Sequence, residues 1–161
     1  MTVGGNLLDY VDDTSSPTVA LTTFKILFNS VISTQGVKSL ALNIKKMYLQ
    51  TKLHKSQWMK FPLALIPSEI IQQYNLQELQ HNGWVYMEIV EDMYGLKESG
   101  KLTFDQLVEH LAPYDYVPCK HTAGLWKHKT NSIAFVLCVD DFGIKDTNKT
   151  NAQDLINTLK K

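Results

Sequence analysis

The chain has 161 residues, 44% hydrophobic and 20% charged, which suffices for one globular domain with a core and is short for two. Sixteen lysines balance sixteen acids and there is no arginine, so no net field attracts a polyanion and no guanidinium can clamp a phosphate. Two cysteines, Cys119 and Cys138, exclude a disulfide-rich scaffold and fit a reducing compartment. No apolar run approaches the roughly 20 residues of a bilayer span, and the first ten residues lack the pattern of a secretory signal. No membrane partner is therefore expected.

Residues 1–15 are polar and turn-rich. Ser16-Pro17 reads as a helix N-cap and first position, followed by Leu21, Phe24, Leu27, Phe28 and Val31 at helical spacing and a stop near Gly36. Lys38–Leu49 alternates as a strand, and Gln57–Phe61 reads as a short second one. Pro67–Leu79 reads as a modest amphipathic helix and Gly83–Val90 as a strand. Ser99–Ala112 carries Leu102, Leu107, Val108 and Leu111 on one helical face. Ala123–Lys129 and Ser132–Val139 read as strands around a Lys-Thr-Asn turn, and Phe142–Lys145 is expected to pair back across Asp140 and Asp141. A capped helix begins at Thr150. This order predicts an α+β fold in one domain over residues 1–161, an antiparallel sheet with helices packed on one face.

The run Phe135–Lys145 places two carboxylates, Asp140 and Asp141, at the tip of an apolar hairpin. Mg²⁺ takes one or two carboxylates plus substrate phosphates, and two-metal phosphoryl transfer needs a further carboxylate nearby. An ordinary solvated acidic turn has the same spelling, and Val11-Asp12-Asp13 repeats the triplet ahead of a helix.

The neighbouring segments bear on that choice. "DYVDDTSSPTVALTTFKILFNSVIS", "LALNIKKMYLQTKL", "VYMEIVEDMYGLKESGKLTFDQL" and "GLWKHKTNSIAFVLCVDDFGIK" occur in this order. In order and spacing the chain resembles the reverse transcriptase domain of copia-type long-terminal-repeat retrotransposons. The resemblance implies a polymerase palm with a remnant of fingers, without thumb or ribonuclease H domain. It implies RNA-directed DNA polymerase (nucleotidyltransferase) chemistry of a transposable element, with Mg²⁺ held by Asp140 and Asp141. Primer–template of RNA or DNA and deoxynucleoside triphosphates are the implied partners, and a cytoplasmic replication particle the implied location. Tyr48 falls on the aromatic position that crowds the 2′ position of the nucleotide. Lys45 falls on a lysine two residues after the first catalytic aspartate, and Lys25 on a basic position of the first helix. Asp12 and Asp13 match no catalytic motif.

The same comparison exposes departures. Asn43 stands where the first catalytic aspartate, the ligand bridging both metals, is expected, which removes a charge that two dications need. Lys46 stands where relatives carry Asp or Asn. Glu98 replaces a Gln that contacts nucleotide and template, Gly100 replaces a Pro, and Cys138 a Tyr. These changes predict impaired catalysis, with a decayed or domesticated scaffold binding nucleic acid or protein as the alternative. A geometric expectation follows: Asn43 must lie beside Asp140 and Asp141 on an adjacent strand. Cys119, His121, His128 and Cys138 fit no common zinc spacing, and Trp58, Trp84 and Trp126 are read first as packing residues and second as platforms for bases.

Overall fold

The computed structural model describes residues 14–161, so Asp12 and Asp13 lie outside the described residues. In chain order the elements are α1 (Leu21–Ile32), β1 (Lys38–Asn43), β2 (Lys52–Pro62), α2 (Ser68–Gln73), α3 (Leu76–Leu79), β3 (Trp84–Glu91), α4 (Ser99–Leu111), β4 (Tyr116–Pro118), β5 (Leu125–His128), β6 (Ile133–Cys138), β7 (Asp141–Asp146) and α5 (Lys149–Leu159). Contacts gather the chain into two compact units, although its length argues for one domain. Among the described residues one unit runs over Tyr48–Leu96, and the other combines residues 14–47 with Lys97–Lys161.

The larger unit is a five-stranded antiparallel sheet in the order β1-β7-β6-β5-β4. Alternation along the strands gives it two different faces. Phe142 and Ile144 of β7, Phe135 and Leu137 of β6 and Trp126 of β5 join Leu107 and Leu111 of α4 and Leu155 of α5 in the core. Trp126 and Phe135 stack there at 5.5 Å between centroids, and both are fully buried.

Gly143 and Lys145 point to the opposite face, where α1 lies. A Cβ added at Gly143 would come within 3.0 Å of Phe28, and the Lys145 ammonium donates to Ser30 Oγ at 2.9 Å. The mixed α+β architecture is as expected, but the helices do not share one face. Phe24 and Phe28, one turn apart and stacked at 4.5 Å, need apolar cover, and Gly143 leaves the recess that receives them.

Helix α1 also begins at Leu21 instead of Ser16-Pro17, with Ala20 as an N-cap that makes no side-chain bond. The Val19 N–H donates to the Leu137 carbonyl at 3.3 Å, which keeps this stretch extended against the sheet. Gly124, at φ +68°, permits that approach, since a Cβ there would sit 2.3 Å from Val19 N.

The smaller unit is a two-stranded antiparallel ribbon of β2 and β3, with α2 and α3 between them. The single helix expected over Pro67–Leu79 is broken, because Asn75 adopts the left-handed conformation at φ +51°. β2 runs well beyond Gln57–Phe61, with an irregularity in its register between Lys52 and Gln57. Among the described residues no helix is long and apolar enough to cross a membrane.

Candidate functional site

The β6–β7 hairpin closes through two residues, Val139 and Asp140, between the paired Cys138 and Asp141. Both aspartates were expected at the tip, but the turn takes only Asp140, and Asp141 is the first residue of β7. Val139 has φ +60° and Asp140 does not share that sign, the pattern of a II′ turn, in which glycine is the normal first residue. A β-branched side chain in that region costs about 1–2 kcal/mol. The strain sits on the residue immediately before the two carboxylates.

β1 runs alongside the hairpin. Asn43 pairs in register with Asp141, and the Ile44 N–H donates to the Asp140 carbonyl at 3.0 Å. Asn43 therefore lies on the strand next to both aspartates, where the alignment of motifs requires it. Its side-chain Nδ2 donates to Asp141 Oδ1 at 2.9 Å. In this orientation the amide offers the carboxylate a donor, so it occupies an oxygen that a cation would use. Among the described residues no group of three or more His, Cys, Asp or Glu side chains is placed to hold a metal ion. Two acids and an amide can hold a hard cation weakly at best, because the negative charge available is two for one or two dications.

The remaining residues singled out from sequence are dispersed. Lys45 is exposed in the turn after β1, in the same unit as the aspartates. Lys46 follows at φ +58°, a conformation that Asn and Asp tolerate better than Lys. Glu98 belongs to this unit too but is buried, 6% exposed, just before α4, with its carbonyl accepting the Leu102 N–H. That burial leaves little of the residue exposed to a ligand in solution. Gly100 is explained locally, since a Cβ there would lie 2.8 Å from Ser16 Oγ. Tyr48 belongs to the smaller unit, where its half-buried ring packs edge-on against Tyr94 at 5.0 Å. Lys25 is exposed on α1.

His128 is occupied structurally. Its Nδ1 accepts the Thr130 and Asn131 backbone N–H groups at 3.1 and 3.0 Å, and its ring lies edge-on to Tyr116. Trp126 is core, whereas Trp58 is 64% exposed and Tyr86 60%. The register pairs Trp58 with Glu88, Lys60 with Tyr86 and Pro62 with Trp84, so one face of the ribbon is aromatic and carries both charges. Reading β2 and β3 as a pair, with alternation on both, would have revealed that face from sequence.

A second feature was missed. Between α1 and the Gly143 face lies a cavity of about 670 Å³, lined by Phe24, Phe28 and Val136 and ending at Asn43 and Asp141. The signal for it was the glycine inside an otherwise apolar strand. Comparisons with protein-family models, with curated proteins and with solved structures return no match.

Proposed function

We propose that the chain is a reverse-transcriptase-like palm of the copia type, with a remnant of fingers, whose polymerase chemistry is impaired by Asn43. The observation that carries this reading is the register of Asn43 with Asp141 beside a strained turn holding Asp140. Segments 98 residues apart in sequence meet at the one place where the motif order requires them to meet. The division into two units supports it as well, since the body holding the aspartates is interrupted by a separate inserted body, as a palm with fingers would be.

In this reading Asp140 and Asp141 are the residues that would hold Mg²⁺, which with a bound nucleotide would supply charge stabilisation for phosphoryl transfer. The bridging charge is missing, so the developing phosphoryl charge is poorly stabilised. The Asn43 amide, donating to Asp141, stabilises the metal-free pair and competes with the ion. The same hydrogen bond favours the alternative as a second reading, a non-catalytic scaffold that retains the fold.

Primer extension on poly-rA/oligo-dT with Mg²⁺ or Mn²⁺ tests the proposal. The native chain is expected to give no incorporation above background, and Asn43→Asp to gain Mn²⁺-dependent incorporation that Asp140→Ala removes. Clear Mg²⁺-dependent extension by the native chain, abolished by Asp140→Ala, would overturn the impairment. Failure of Asn43→Asp to gain either incorporation or Mn²⁺ binding would favour the scaffold.

A further inference from the structure

The cavity on the α1 side of the sheet has an unusual division of chemistry. Its walls are the stacked rings of Phe24 and Phe28 with Val136 and Ala41, and its polar end is formed by Asn43 and Asp141. Its volume of about 670 Å³ lies inside the range of roughly 300–1,000 Å³ typical of small-ligand sites. Gly143 lets the Phe28 ring pack down to form one wall, since a Cβ there would come within 3.0 Å of both Phe28 and Val136. Among the described residues no lysine or histidine lines it, so the only formal charge they bring to its lining is the Asp141 carboxylate, with Asp140 next in sequence. Apolar walls suit a flat aromatic body, and a carboxylate at the mouth together with ring faces suits a cation.

We propose that this cavity binds a small aromatic ligand carrying a protonated amine, with the ring between α1 and the sheet and the ammonium at Asp141. The site goes beyond the polymerase reading and does not require it, because an ammonium needs one carboxylate and aromatic walls but no bridging third acid. Cys138 lines the same cavity and is exposed, which provides a built-in reporter of occupancy.

The test uses the full chain with Cys119→Ser, leaving Cys138 as the sole thiol, in EDTA at low salt. The probes are 1-naphthylmethylammonium and its size-matched opposite, 1-naphthylacetate. Each is titrated against the rate of Cys138 alkylation by N-ethylmaleimide, and affinities are checked by calorimetry. The ammonium is expected to protect Cys138 saturably and to bind about tenfold more tightly than the carboxylate. Asp141→Asn should erase that preference, and Ala41→Phe, which fills the cavity from an exposed position, should abolish protection by the ammonium. Equal protection by the two probes overturns the proposal, as does protection by neither. A Cys138 that is inert in the native protein before any probe is added also overturns it, because the cavity is then filled by the chain itself.

Discussion

Replacing Asn43 by Asp puts the proposed geometry under direct load. The native amide donates to Asp141 at 2.9 Å, an exposed hydrogen bond contributing about 0.5–1.5 kcal/mol. Aspartate removes the donor and sets a second carboxylate about 4 Å from the first, a repulsion of about 1 kcal/mol in a water-like dielectric. Together these destabilise the folded chain by about 2 kcal/mol at pH 8 and low salt, or roughly 4–8 °C in Tm for a chain of this size. Three controls separate the two terms. Asn43→Ala loses only the hydrogen bond. Raising salt screens only the repulsion. Acid relieves the repulsion too, since one of two neighbouring carboxyls takes up a proton early. A divalent cation then binds the folded form of the aspartate variant, and at ten times its Kd restores about 1.4 kcal/mol. The assay is thermal unfolding of native, Asn43→Ala and Asn43→Asp chains in EDTA and in graded MnCl₂. If the aspartate variant is as stable as the native chain in EDTA, or gains no more from Mn²⁺ than the alanine variant does, residue 43 does not share a site with Asp141.

Three further outcomes follow from other parts of the fold. Val139→Gly relieves the positive φ of the hairpin turn and should raise stability by about 1 kcal/mol after allowing for the entropy of glycine; a lower urea midpoint would mean the turn is not strained. Asp146 is buried and accepts the Asn148 and Ala152 backbone N–H groups at 3.0 and 2.9 Å, so Asp146→Ala should cost about 2–3 kcal/mol by leaving both donors at the start of α5 without this acceptor, read as a lower urea midpoint with unchanged slope. Burial, aided by the charges of Asp154 and Asp146, pushes the Tyr116 hydroxyl up to about 12. The folded chain therefore keeps that proton above pH 10, where the unfolded chain releases it, so the contribution is complete below pH 10 and is lost between pH 10 and 12. Stability of the native chain should fall more steeply across that window than that of Tyr116→Phe, and parallel curves would refute the assignment.

The elements legible in the sequence are those whose signals are local. Leu102, Leu107 and Leu111 repeat at the helical period, and α4 forms where that period predicts. The apolar run before the aspartates and the short run after them make a hairpin whichever way the rest of the chain folds. β4 escaped because Tyr116–Pro118 is too short to show a period, and its existence depends on pairing with β5. Glu98 illustrates the same limit, since its position in a motif says nothing of its burial.

Composition and local pattern thus determined an α+β chain, its hairpins, its main helices and the pair of acids at one turn. Tertiary contact decided the rest. It moved the start of α1, because a backbone hydrogen bond from Val19 to β6 overrides a serine cap. It set α1 on the face opposite α4 and α5, because two phenylalanines fill the recess that Gly143 leaves. It also made the two aspartates unequal, one in the turn and the other opposite Asn43. Registry between strands so distant in sequence depends on side-chain packing and ladder bonds that no local window contains.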